Sequence, residues 1–390
     1  MGDTSIEYVD CTVNPIRARW IGSVALRRHL RGIGHYCEKV SAGCAKCYSS
    51  AHQPRFGLPT FDKQRLGENV EVYFEPSVLD ECLRRRKPTR YFPFDMTDAW
   101  GAWVKDEWLD YFFAVAAQTP QHTYLFPTKR PERMRAYSSS LAGLSRRERG
   151  IRMVRSMYRG HPAEGLVSGI GTDTQTGGMD WPLPNVHLGV SVEDQATADE
   201  RIPLLLQTPA AVRWVSLEPQ LTPVDLGIGR WIRLPHTVRS ELPFANLGAT
   251  PGVYRAESNP NGALSVHSTG HTLLGVKPDE FERLPSLNWV VTGGESGPGA
   301  RPFDLAWARS TIAQCRATGV PVFVKQLGSV PIGNAALYEA TWPAHVRLAW
   351  SGDGMATYRV RLRDRKGGDI TEFPEDLRVR EFPHPPTEGA

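Results

Sequence analysis

The sequence predicts an α/β protein built on a parallel sheet, a partial or complete α/β barrel. Three observations carry that expectation. Short apolar runs alternate with helix-length amphipathic segments, as parallel strands alternate with crossover helices. Each run ends in a polar or glycine-rich cluster, and groups collected just after strands are what a barrel presents at its C-terminal rim. No stretch approaches the roughly 20 consecutive apolar residues of a membrane helix. A doubly wound open sheet is the rival architecture, because strand endings are functional there too.

In chain order, the first expected strand is Arg90–Phe94, before Asp95-Met-Thr-Asp98, and the second is Thr123–Phe126, before Pro127-Thr-Lys-Arg130. Val186–Val192 precedes Glu193-Asp194, and Val212–Leu217 precedes Glu218-Pro219. Trp289–Thr292 precedes Gly293-Gly-Glu-Ser-Gly297, and Val320–Val324 precedes Lys325-Gln326. Amphipathic helices are expected over Glu107–Ala117, Ala196–Leu206 and Leu305–Ala317. Residues 229–275 carry many Gly, Pro, Ser and Asn residues without a clean period, which reads as an irregular insertion. A hairpin-like turn at Ser351-Gly-Asp-Gly354 is followed by a charged, proline-rich tail. The expected organisation is therefore a barrel-like domain over 1–342 and an appendage over 343–390.

Composition bounds the class. Of 390 residues, 41% are apolar and 23% charged, which is globular rather than disordered. The start Met1-Gly2-Asp3-Thr4 lacks a basic stretch followed by an apolar core, so no secretory signal and a cytosolic location are expected. The net charge of +4 is small, but its distribution is uneven. No acid lies between Asp10 and Glu38, where Arg17, Arg19, Arg27, Arg28 and Arg31 occur. Such patches suit a phosphate-bearing partner, although single arginine clusters commonly coat solvated helix faces.

Six cysteines are too few for a disulfide scaffold. Cys37, Cys44 and Cys47 nevertheless share one short loop, as Cys-x6-Cys-x2-Cys. A Cys-x2-Cys pair on a tight loop places two sulfurs at adjacent corners of a soft metal site. A closed structural zinc site takes four protein ligands, and His35 or His52 is available as the fourth. A four-iron cluster held by three thiolates keeps one iron open. Free thiols without metal are the third reading.

At these residues the chain resembles a phage-associated family of three-cysteine, radical-SAM-like proteins. The resemblance starts at Tyr8-Val-Asp10-Cys-Thr12-Val-Asn14-Pro15 and runs through the cysteine loop, Arg86-Lys-Pro88, Phe94–Asp98 and Thr128–Met134. It continues in Leu188–Val192, Ser216–Pro219, Gly293–Pro302 and Phe323–Gln326. The resemblance implies a barrel of radical SAM type, a [4Fe–4S] cluster on Cys37, Cys44 and Cys47, and S-adenosylmethionine (SAM) at the open iron. It also implies an electron donor for the cluster. A more distant similarity to spore photoproduct lyase directs attention to bases in DNA. Two departures stand out: Tyr8 and Val13 occupy positions usually held by Trp, and the Arg-rich segment 16–35 is inserted.

On that basis Tyr48 would cover the cluster or stack on adenine, with an ordinary core aromatic as the alternative. Asp95, Asp98, Glu193 and Glu218 would meet the ammonium or ribose of SAM. Lys129, Arg130 or Lys325 would meet its carboxylate or a substrate phosphate. Gly293 and Gly294 would let the backbone approach a ligand, with Glu295 as acceptor. Glu295, Asp98 and Lys129 are the expected catalytic groups. Arg27, Arg28, Arg31 and Arg130 are the expected nucleic-acid contacts, to DNA in preference to RNA. The function expected is radical chemistry on a nucleobase. The alternatives are a zinc-stabilised, non-catalytic nucleic-acid-binding protein and a radical SAM enzyme with a small-molecule substrate.

Overall fold

A computed structural model describes residues 2–4, 6–22, 32–47, 49, 60–61, 69–158, 178–233, 253–258, 264–268, 271–276, 281–334, 342–343, 347–350 and 357–383. The chain divides into two compact units. The first comprises Met1–Gly189, Thr208–Val212 and Pro386–Ala390, and the second Val190–Gln207 and Arg213–Pro385.

The principal sheet begins with β1 (Gly2–Asp3), β2 (Cys11–Val13), β7 (Arg90–Pro93) and β8 (Thr123–Thr128). It continues with β9 (Val186–Ser191), β10 (Val212–Leu217), β16 (Trp289–Gly293) and β18 (Val322–Gln326). Only β1 is antiparallel to its neighbour; the other seven strands are parallel. Helices α1 (Asp80–Arg84), α2 (Asp106–Gln118), α3 (Pro131–Ala142) and α4 (Arg146–Tyr158) belong to the first unit. The second contains α5 (Gln195–Leu206) and α6 (Leu305–Thr318). From β2 onward the spatial order of strands follows the chain order without reversal. A doubly wound sheet reverses at its binding crevice, so the topology is that of a partial parallel α/β barrel.

All six expected strands occur, and the three expected helices extend at most one residue further at an end. The last strand is shifted to Val322–Gln326, which puts Lys325 and Gln326 inside it rather than after it. Local chemistry sets the helix starts. The Asp194 carboxylate accepts from the Thr197 N–H, and the Thr197 hydroxyl accepts from the Asp194 N–H, closing a capping box on α5. Asp304 caps α6, which ends at Gly319 in the left-handed region (φ 69°).

In the first unit, β3 (Ile16–Trp20) lies between β4 (Ile33–Tyr36) and β6 (Val70–Phe74), and β5 (Thr60–Phe61) pairs with β4. The Arg-rich segment 16–35 thus contains β3 and most of β4; Arg27, Arg28, Arg31 and Tyr48 lie outside the described residues. Phe94, Phe112, Phe113 and Phe126 pack as a buried aromatic core. Phe94 adopts φ 61°, and its N–H donates to the Val13 carbonyl at 2.9 Å. That conformation costs about 1–3 kcal/mol in a non-glycine residue. Packing of its ring holds the turn that carries Asp95 and Asp98.

The second unit corrects one expectation. Where the sequence suggested an irregular insertion, an antiparallel sheet has the order β14 (His271–Val276), β13 (Leu264–Ser268), β12 (Val253–Ser258), β11 (Trp231–Arg233), β15 (Glu282–Arg283). Strands this short, broken by polar residues, leave too few repeats for a period-2 signal. A further sheet orders β17 (Phe303–Asp304), β19 (Pro331–Asn334), β21 (Thr357–Arg361) and β20 (Arg347–Trp350). Its antiparallel β20 and β21 flank the expected turn at 351–354, whose residues lie outside the described set. Among the described residues, no helix is long and apolar enough to cross a membrane.

Candidate functional site

In the first unit, Cys37 directly follows β4, and Ala42–Cys44 form one turn of 3₁₀ helix. The Cys44 N–H donates to the Ser41 carbonyl at 3.0 Å, and the Cys47 N–H to the Cys44 carbonyl at 3.3 Å. Bonds spanning three residues bring side chains three apart to the same side, which is how Cys44 and Cys47 are presented. The Cys37 thiol is pushed up to about 12 by burial and then by the charge of Asp98, partly offset by Arg130. Cys44 and Cys47 are also electrostatic neighbours of Cys37. Among the described residues, no three Cys, His, Asp or Glu side chains converge as a preformed metal-binding group. His35, the candidate fourth zinc ligand, is buried, with its ring nitrogens 3.1 Å from Arg17 Nη1 and 3.0 Å from the Ile16 carbonyl. His52 lies outside the described residues.

The segment Tyr36-Cys37-Glu38 is held from both sides. The Thr97 hydroxyl donates to the Tyr36 carbonyl at 2.5 Å, and Arg130 Nη2 donates to the Glu38 carbonyl at 2.9 Å. The guanidinium lies 4.7 Å from the Trp103 ring centroid, and Trp103 meets the Tyr36 ring edge-on at 4.9 Å. Trp103 Nε1 donates to Thr97, and the Tyr36 hydroxyl donates to the Glu38 carboxylate at 2.6 Å. Asp98 anchors the assembly. It accepts from the Trp100 and Lys129 N–H groups, the Thr128 hydroxyl and Arg130 Nη1. Asp95 accepts a 2.5 Å hydrogen bond from Asn14.

This geometry gives the predicted residues specific places. Asp98, expected to be catalytic, is saturated by four donors. Arg130, expected on nucleic acid, is 16% exposed and turned toward the cysteine loop. Lys129 contributes its backbone N–H to Asp98.

In the second unit, carboxylates after the strands meet cations. Lys325 Nζ donates to both Glu218 oxygens, at 2.6 and 2.8 Å, and Gln326 Nε2 donates to Glu218 at 3.0 Å. Glu193 is fully buried and faces Arg201 at 3.4 Å; that arginine also donates to the Ser191 carbonyl at 2.8 Å. Glu295 receives the Arg301 N–H, Nε and Nη2, the last at 2.6 Å. A Cβ on Gly294 would sit 2.7 Å from the Leu327 carbonyl oxygen and from Phe303 Cβ. The close approach at this glycine is therefore made by the chain's own neighbours. A Cβ on Gly293 would lie 3.1 Å from the Gln326 carbonyl oxygen.

Thr97, Trp103, Arg201, Arg301 and Gln326 were not singled out individually in the sequence. Thr97, Arg301 and Gln326 stand in the sequence only as members of longer motifs, and Arg201 only as a residue of an expected helix.

A protein-family model, described as "Protein of unknown function (DUF5131)", matches residues 32–357. The chain belongs to the DUF5131 family. The match to the DUF5131 model contains the whole cysteine loop, the Asp98–Arg130 assembly and all three carboxylate–cation pairs. Searches of curated proteins and of solved structures returned no match to this DUF5131 chain.

Proposed function

We propose that the protein is a radical-SAM-type enzyme acting on a base in nucleic acid, DNA in preference to RNA. The cysteine loop is the observation that carries this reading. It presents three soft thiols, with two sharing one side of a turn and the third on a backbone segment gripped by Thr97 and Arg130. That donor chemistry fits an iron–sulfur cluster, and metal binding commonly completes the convergence of such ligands. Cys37, Cys44 and Cys47 would hold the cluster. When bound, it supplies an electron to the sulfonium of SAM. The chain's own contribution is orientation: Asp98 fixes Arg130, and Arg130 fixes the carbonyl next to Cys37.

A zinc-stabilised, non-catalytic nucleic-acid-binding protein is the second reading. The paired carboxylates favour it, because Glu193, Glu218 and Glu295 have cationic partners without any ligand. The inward placement of His35 weighs against it.

Anaerobic reconstitution with iron and sulfide separates the two. The enzyme reading expects about four irons per chain, loss of iron in Cys44→Ala, and reductive cleavage of SAM to methionine and 5′-deoxyadenosine. Stoichiometric zinc without iron, or a loaded and reducible cluster that never cleaves SAM, overturns it.

A further inference from the structure

The second unit carries an arginine-rich surface that none of the charge pairs above uses. In β21, Tyr358 and Val360 are buried, at 1% and 2% exposure, while Arg359 and Arg361 are exposed on the opposite face. Arg363 and Arg365 continue the exposed alternation beyond the strand. The register places Arg347 of β20 directly opposite Arg361.

Nearby acids are turned elsewhere. Glu372 is buried and accepts the Arg363 and Asp364 N–H groups, each at 2.9 Å. The Asp364 carboxylate accepts the N–H groups of Lys366, Gly368 and Asp369. Asp304, on the far edge strand, accepts the Ala306 N–H. Among the described residues, no ion pair involves Arg359, Arg361, Arg363 or Arg365.

We propose that this face docks the phosphate backbone of a nucleic acid, through Arg359, Arg361, Arg363 and Arg365. Residues two apart on a strand repeat about every 7 Å. One nucleic-acid strand carries a charge about every 3.4 Å along its axis, so Arg359 and Arg361 on the strand can each meet a separate phosphate, and Arg363 and Arg365 extend the exposed charge along the turn that follows. No large exposed apolar side chain lies on β21 among the described residues, whereas a membrane-docking face would carry one. The inference deepens the proposed function by naming where its nucleic-acid partner binds, and rests on that reading for the partner's class.

The test uses the full chain and a fluorescent random-sequence DNA duplex, titrated by anisotropy from low to physiological salt. The combined Arg359→Ala, Arg361→Ala, Arg363→Ala and Arg365→Ala variant should bind at least about tenfold more weakly. Its slope of log affinity against log salt should flatten by about 1 for each phosphate no longer neutralised. Arg316→Ala, an exposed arginine at the end of α6, should change neither. Circular dichroism confirms that the combined variant remains folded. Unchanged affinity and slope in that variant, or no duplex binding by the parent chain, overturns the docking face. Equal binding to phosphatidylserine vesicles, weakened to the same degree by the substitutions, also overturns it, in favour of a lipid surface. Iron content and SAM cleavage are measured in parallel. A chain that takes up no iron yet binds DNA through these arginines retains the docking face and defeats the enzyme reading.

Discussion

The two units use buried charge in different ways. In the second, carboxylates and cations satisfy one another: Glu193 with Arg201, Glu218 with Lys325, and Glu295 with Arg301. In the first, Asp98 and Arg130 also pair, but a second guanidinium nitrogen, Nη2, reaches the Glu38 carbonyl and the guanidinium face covers Trp103. One arrangement stabilises strand endings. The other uses a planar, five-donor group to position the loop that carries the three thiols. A carboxylate after a strand therefore does not by itself mark a ligand site; the side chain it faces decides.

The largest expected effect tests the second unit. Arg201→Met removes the arginine 3.4 Å from the fully buried Glu193, on which Arg301 also acts electrostatically, and should cost up to about 3–5 kcal/mol in urea unfolding. Adding Glu193→Gln should recover most of that loss. A cost below about 1 kcal/mol for the single variant would break the comparison, because the pair would then carry no more than a surface ion pair.

Arg130→Ala should cost less, about 1–3 kcal/mol, since Asp98 keeps three other donors. Its distinctive effect should be faster hydrogen exchange around Tyr36–Glu38, centred on Cys37. Arg130→Lys should restore this only partly, because an ammonium lacks the planar fork that reaches Asp98 and the Glu38 carbonyl together. Global destabilisation without a selective change at Cys37 would reduce Arg130 to an ordinary structural pair.

An effect of similar size concerns protonation in the first unit. Burial pushes His187 down to about 4 from an ordinary value of 6.5. The unfolded chain binds this proton first, so stability should fall as pH drops from about 6.5 to 4 and level off below. The loss should be about 1–3 kcal/mol, and His187→Gln should flatten that part of the profile. The smallest effect belongs to Asp10, whose carboxyl is lowered by its hydrogen bond to Arg90. Both side chains are over a third exposed, so Arg90→Ala should cost no more than about 1 kcal/mol. That contribution should fade as pH falls below about 4.

The sequence by itself determined six of the seven parallel strands, three of the helices, and the single loop that gathers Cys37, Cys44 and Cys47. Those features are written in short-range terms: apolar runs, 3.6-residue periods and residue spacing. The β11–β15 sheet escaped because polar residues interrupt its strands, as in Val253–Ser258 and Leu264–Ser268, where the principal sheet has nearly continuous apolar runs. Only the tertiary structure decided which partner each charge takes. Lys325 and Glu218 are 107 residues apart, and Arg130 and the Glu38 carbonyl 92 apart. Such pairings follow from strand register and side-chain reach, and no local period in the sequence encodes either.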